Sequence, residues 1–587
     1  MQYNNIYELL KSFINEASAG KYTINSNVFD KIAIEIPRIK SFGHLSSNAA
    51  LIIANYCKTN PREVAEYIRE KLSQKSIFQN IEIAGPGFIN FTLTKNLWHK
   101  ILEAILDTGT NFGKTNIGKG ERVNVEFVSA NPTGPMHVGH ARPAIYGEAF
   151  SSVMENCGFD VVREYYVNDA GNQIGVLLKS CLLRYREVFG YEINIPSGFY
   201  PGEYLKYIAG SIKEEFGDKF LDLDENFDMR IEPTPKLLEF RYIVLERILK
   251  IIKSDLKDLS IFHDVFSSEK KLHDDKMIEK AIEILTNKGL IYKGLLEAPK
   301  GEEDKDWEPK EQLLFKSTEF GDDQDRTLAK SDGSWTYFAG DAAYALSKIE
   351  RGFSKNIIVL GADHSGYVKR LEALYKALSN GSATCEVKLC QMVNLMDNNE
   401  PVKMSKRAGQ FTTVSDVVKE VGADVLKFMM LTRKNDIILD FDLHTAKILS
   451  KENPVYYVQY ARVRALSSLN NAKENFQETY EKFIRSEYDL SLLTLDVEIE
   501  IIRDLSLFPR IVEQAAKTGE IHKIPYYLQD IASSFHAFWN MGKENQDYKF
   551  LSDNTKLSAA RLVLISAIEL VIRNGLLILG ITPLNKM

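Results

Sequence analysis

Apolar residues recur at helical spacing along Ile6–Ala17 and Pro61–Ser73, while Lys31–Ile36, Ile81–Ile83 and Phe88–Leu93 read as strands. The mixture predicts a small α+β unit over residues 1–110. A glycine-rich junction, Thr108-Gly109-Thr110-Asn111-Phe112-Gly113 and then Gly118-Lys119-Gly120, separates it from the rest of the chain. From Val123 to about Val393 the pattern changes, and strand-like runs (Val123–Val128, Val161–Tyr166, Trp335–Phe338, Asn356–Leu360) alternate with helical ones. That order marks βαβ units and predicts an α/β fold on an open parallel sheet. Gly190–Pro201 and the polar stretch Pro299–Lys310 interrupt it as loops or insertions. Beyond Lys403 the periodicity is almost purely helical, most clearly in Lys451–Asn470, Leu492–Lys517 and Leu557–Leu577. The resulting boundaries are 1–110, 111–410, a helical connecting segment 411–450 and an all-helical 451–587.

Composition narrows this little. A 587-residue chain that is 44% hydrophobic and 26% charged is globular, with several cores. No apolar run reaches the roughly 18 residues of a membrane span. The start, Met1-Gln2-Tyr3-Asn4, lacks a signal peptide's basic region, so a cytoplasmic protein without a membrane partner is expected. Cys57, Cys157, Cys181, Cys385 and Cys390 form no CxxC pair, and no structural metal is expected. The net charge of -7 repels phosphates at long range. It is unevenly spread: residues 1–110 hold 12 Lys or Arg against 10 Asp or Glu, the remainder 61 against 70.

Candidate chemistry concentrates in two places. Asn131-Pro132-Thr133-Gly134-Pro135-Met136-His137-Val138-Gly139-His140 comes directly after the strand-like run at Val123. Gly139 lets a nucleotide approach the backbone, and a helix predicted from near Ala141 presents its positive end to phosphates. His137 and His140, three residues apart, supply imidazole N–H donors for charge that grows on a triphosphate as a carboxylate attacks its α-phosphorus. Two histidines alone make an incomplete zinc site. Lys403-Met404-Ser405-Lys406-Arg407 stands 263 residues beyond His140. Two flexible point charges and a hydroxyl suit a loop that closes over the β and γ phosphates. His137, His140, Lys403, Ser405 and Lys406 are therefore the catalytic candidates, with Gly134, Pro135, Gly139 and Met404 added for ATP binding. Gly109-Thr110-Asn111-Phe112-Gly113-Lys114-Thr115 imitates a P-loop but is one residue short and sits after a helical run, so it reads as a linker.

The two stretches resemble the HxGH and KMSK signatures of class I aminoacyl-tRNA synthetases, and their surroundings are similar to the arginyl-tRNA synthetase family over nearly the whole chain. The resemblance implies a Rossmann-like catalytic domain, an N-terminal domain at the tRNA elbow and a helical anticodon-binding domain. It also implies arginine adenylation with ATP, whose Mg2+ comes with the substrate, then transfer to the 3′ end of tRNA(Arg) by a monomer. Family members need bound tRNA before they activate arginine. A guanidinium calls for carboxylates, amide oxygens and aromatic faces. By resemblance, Glu126, Ser129 and Asn131 meet the amino acid's α-amino and carboxylate ends with His140. Tyr337 and Asp341 line the guanidinium pocket, and His364 stands where relatives use Gln.

Exclusion sharpens the substrate. Synthetases for isoleucine, valine and leucine resemble longer chains with a hydrolytic insertion, for which the 263-residue interval leaves little room. Lysine remains the closest chemical competitor. On the RNA side, Tyr456, Tyr457, Tyr460, Arg462 and Arg464 interleave aromatic faces and cations on one helix, a pattern that reads unpaired bases. Gly422-Ala423-Asp424-Val425-Leu426-Lys427 stands where relatives carry a D-A-L-R-like motif, and by resemblance the terminal Met587 lies against the anticodon. A small-molecule nucleotidyltransferase and a catalytically silent RNA-binding paralogue are the rival readings.

Overall fold

The structure is a computed structural model that describes residues 5–225, 227–228, 233–295, 311–398, 400–402 and 412–587. At the N-terminal end, Ile34–Glu35, Leu45–Ser47, Phe88–Leu93 and Phe78–Ala84 form an antiparallel sheet in that spatial order. Helices cover it. In Pro61–Leu72 the Asn60 side chain caps the Arg62 N–H, Pro61 opens the first turn, and Val64, Ala65, Ile68 and Leu72 bury one face.

The central sheet has five parallel strands in the order Thr384–Cys390, Lys355–Gly361, Arg122–Glu126, Asp160–Val167, Val265–Ser268. Chain order runs outward from Arg122–Glu126 to one side, then jumps to Lys355–Gly361 on the other. The crevice beyond these two neighbouring strands is the topological switch point at which such sheets bind ligands. The glycine-rich junction is a pinned linker, since Asn574 Nδ2 donates to the carbonyls of Gly109 and Phe112 at 3.2 and 3.0 Å. Asn574 belongs to Thr555–Ile578, a helix buried on nearly all sides at the centre of the C-terminal bundle.

Several expectations give way. Trp335–Phe338 is not a strand: Trp335 makes a single bridge to Ala329, and Tyr337 opens a helix to Glu350. The alanines behind it favour helix more than the aromatic run favours strand. Leu492–Lys517 is not continuous, because Asp496–Leu505 and Phe508–Thr518 are separate helices and Pro509 can stand only in the first turn of the second. Over residues 412–587 the chain is almost purely helical, as its periodicity predicts, with one short strand. Leu439–Asp442 pairs in parallel with Val393–Asp397, and its Leu-Asp-Phe-Asp alternation is too short to outweigh the helices around it. Residues 403–411, with Lys403, Met404, Ser405 and Lys406, lie outside the described residues, as do 299–310.

Candidate active site

The first signature folds as a helix cap. The helix begins at Val138, three residues earlier than the sequence suggests, with His137 as its N-cap. His137 Nδ1 accepts from the Gly139 N–H at 3.1 Å, and His140 Nδ1 accepts from the His137 N–H at 3.3 Å. In a neutral imidazole whose Nδ1 accepts, the proton sits on Nε2, so both rings are held with Nε2–H as the donor. The two rings stack with centroids 3.7 Å apart. Gly139 has a second reason to lack a side chain, because a Cβ there would meet the His137 ring at 2.9 Å.

Between Arg122–Glu126 and this cap the backbone is strained. Val128 and Ser129 have φ of 70° and 41°, left-handed values that are costly for a β-branched residue. Ser129 fixes the turn: its hydroxyl donates to Glu126 Oε1 at 3.2 Å and accepts from the Tyr166 N–H at 3.0 Å. The bend brings Glu126, Ser129 and Asn131 to the rim of one cavity of about 1010 Å3, whose walls also include His137, Gly139 and His140. Glu126 Oε2 is paired from below with the buried Lys348 Nζ at 2.6 Å.

Across the cavity stand Tyr337, Asp341 and His364. Tyr337 is exposed at the mouth, and His364 Nε2 lies 3.6 Å from Asp363 Oδ2. Asp341 Oδ2 is buried and finds no hydrogen-bond partner among the described residues. Burial, reinforced by the charges of Glu126 and Glu269, pushes its carboxyl up to about 7 against the opposing pull of Arg370. Sequence reasoning missed Glu269, which lines the same cavity and whose buried Oε2 has no hydrogen-bond partner among the described residues. Burial raises its carboxyl too, with Asp169 adding to the effect. Two carboxylates in the wall of one cavity, each with such a buried oxygen, have the chemistry to receive a cation with several N–H donors. Gly134 and Pro135 do not line this cavity; Thr133 beside them is held by the Tyr204 hydroxyl at 2.5 Å.

On the C-terminal bundle, Tyr456 and Tyr460 stack at 6.1 Å, and the Arg464 guanidinium lies over Tyr460 and Trp539 at 4.5 and 5.1 Å. Tyr457 and Tyr460 both pack against His536. His536 and Trp539, from Lys523–Glu544, complete a platform that one helix's sequence does not reveal. Arg462 is turned inward, 5% exposed and paired with Glu569 at 2.7 Å, where it also donates to the Leu584 carbonyl. Its position relative to Arg464 puts it on another face of the helix. Met587 borders a second cavity of about 360 Å3 with Tyr456 and Leu584.

Family models match in chain order: the arginyl tRNA synthetase N terminal domain over residues 4–93, the class I (R) tRNA synthetase catalytic domain over 101–449 and the DALR anticodon binding domain over 458–587. The arginine–tRNA ligases of Rickettsia bellii and Rickettsia felis are each 48% identical over 584 residues, spanning 99% of this chain and all of theirs. The chain belongs to the arginyl-tRNA synthetase family. It is a class I aminoacyl-tRNA ligase. A putative arginyl-tRNA synthetase structure from Campylobacter jejuni, 31% identical, superposes with a TM-score of 0.71 over 84% of this chain and all of that one. The Thermus thermophilus arginyl-tRNA synthetase shares the fold at 18% identity, with a TM-score of 0.72 over 99% of this chain and all of that one. Among the described residues no helix is long and apolar enough to cross a membrane, and no cluster of metal-ligating side chains occurs.

Proposed function

We propose that the cavity at the switch point holds L-arginine and ATP side by side, with the guanidinium on Asp341 and Glu269 and the triphosphate at the His137–His140 cap. The reaction is the family's: the arginine carboxylate attacks the α-phosphorus, pyrophosphate leaves, and the arginyl group passes from AMP to the 3′ end of tRNA. No covalent enzyme intermediate is required, so positioning and charge stabilisation carry the chemistry. Glu126 and Asn131 take the α-amino end, and Lys348 Nζ, 2.6 Å from Glu126 Oε2, holds that carboxylate in place. The Nε2–H groups of His137 and His140 donate to phosphate oxygens. Lys403 and Lys406, by the likeness of their sequence to the second signature, neutralise the departing pyrophosphate, and Mg2+ enters with ATP.

The pair of buried carboxylate oxygens on Asp341 and Glu269 that lack a hydrogen-bond partner among the described residues carries this reading. A guanidinium, with five N–H donors in a flat fork, can satisfy two carboxylates that a compact ammonium serves less completely. Residues 1–110 serve the tRNA elbow and 451–587 the anticodon, in a cytoplasmic monomer. Aminoacylation of total tRNA with each amino acid in turn tests the assignment: arginine alone is charged, and charging of lysine in its place overturns the pocket.

A further inference from the structure

The backbone of Met136–Val138, just before and within the first signature, is tied on both sides. On one side the Met136 N–H donates to Asp255 Oδ2 at 2.8 Å. On the other, the Met136 carbonyl accepts from the Val414 N–H at 2.9 Å, and the Val138 N–H donates to the Thr412 carbonyl at 3.2 Å. His137 thus pairs antiparallel with Thr413. Thr412 is the sixth residue after Lys406 in sequence, and this short ladder joins Thr412–Val414 to the cap of the first signature. Asp255 is in the last turn of Pro235–Asp258, a helix that packs on Val414–Val421, and is 5% exposed.

We propose that Asp255 is a positioning residue for the nucleotide step, registering the His137–His140 cap against Thr412–Val414 through the Met136 amide. The inference rests on the reading that this cap holds ATP. A charged acceptor on a buried N–H makes a strong bond, and its removal leaves that donor unsatisfied. The misalignment is felt by the triphosphate at the cap, while the guanidinium carboxylates Asp341 and Glu269 stand on other elements. Burial raises the Asp255 carboxyl to about 6, opposed by the Met136 N–H; Asp258 on its own helix and Asp416 across from it push the same way as burial, and Lys419 opposes them. The carboxylate form, and so the stronger bond, is present above pH 6 and lost below it.

Arginine-dependent pyrophosphate exchange with tRNA present, run on Asp255→Ala, Asp255→Asn and His137→Asn, tests this. Asp255→Ala raises the ATP KM roughly tenfold with the arginine KM within about twofold. Asp255→Asn keeps an oxygen acceptor and recovers most of the loss, leaving an ATP KM about threefold above wild type at pH 8. That ratio closes to about one below pH 6, where the wild-type carboxyl is itself neutral. Should Asp255→Ala fail to fold, the pH course of the Asp255→Asn ratio decides alone. Parallel rises in both KM values, or a ratio constant with pH, overturn the proposal. A His137→Asn enzyme with undiminished exchange sinks the nucleotide-site reading itself, whereas a crippled His137→Asn beside an Asp255→Ala of unaltered ATP KM sinks this inference alone.

Discussion

Lys348 Nζ lies 2.6 Å from Glu126 Oε2, and the lysine side chain is wholly buried. The Tyr344 ring, 4.2 Å from the ammonium, packs over the pair. Substrate therefore meets Glu126 as a carboxylate that is already charge-balanced and fixed in direction. Lys348→Met strands that carboxylate in a buried site, a change that typically costs about 3 to 5 kcal/mol. The expected result is a fall in thermal midpoint together with a raised arginine KM. Adding Glu126→Gln to Lys348→Met restores most of the stability and none of the arginine affinity. Chemical denaturation of the two variants checks the first half and steady-state kinetics the second.

The buried Asp341 carboxyl makes stability depend on pH. In the unfolded chain its carboxyl titrates near 4, whereas in the empty pocket it titrates at about 7. Between those values the folded protein binds more protons than the unfolded one, so this group's contribution to stability is complete below pH 4 and is lost as pH rises through 7. Asp341→Asn, which has no charge to strand, is accordingly stabilised relative to wild type at pH 8 and not at pH 4, as melting curves without arginine will show. The same replacement lowers kcat/KM for arginine by at least about thirtyfold, the effect of losing one side of a buried charge pair. The ATP KM stays within about twofold. Equal loss of both substrates counts against the role.

The same carboxyl sets a pH profile. With the guanidinium on Asp341 as proposed, arginine requires the ionised form, and its KM is expected to fall as pH rises from 5 to 7 and level off above that. Glu269, also raised by burial, shifts in the same sense. Initial rates at saturating ATP and tRNA measure the curve, and Asp341→Asn flattens it. A wild-type arginine KM indifferent to pH over that range means that the pocket is ionised when empty.

The legible part of the chain was local. The His137–His140 cap is written in ten consecutive residues, and the strand–cap–helix order around it comes from pattern alone. Lys348 was not legible, since a lysine in an alanine-rich helix reads as surface until the fold drives it beneath Glu126. Glu269 was hidden by the short strand before it, Val265–Ser268, whose four half-buried residues show no alternation. Assigned as a strand, that segment would have placed Ser268 and Glu269 at a C-terminal strand end, where ligands bind. Trp335–Phe338 failed for the opposite reason, an aromatic run read without the helix formers behind it.

Arg462 and Arg464 stand two residues apart, so the helical period turns them about 200° from each other. Only the position of Glu569 on the neighbouring helix says which of the two is spent on structure. Arg464, stacked on Tyr460 and Trp539 and bonded to the Tyr460 hydroxyl at 2.9 Å, is the arginine that can lend charge and a flat face to an unpaired base. Arg464→Ala should raise the tRNA KM about tenfold, the loss of a single stacking contact, with little change in thermal midpoint. Arg462→Ala should do the reverse in origin: Glu569 loses its partner, the Leu584 carbonyl loses its donor, and the protein is destabilised by about 3 kcal/mol. Any rise in its tRNA KM then comes from a loosened terminus and is reversed by Glu569→Gln in the same chain. Aminoacylation kinetics and denaturation on the three variants separate these outcomes, and a tRNA KM that responds to Arg462 alone, with stability untouched, would reverse the assignment of the two arginines.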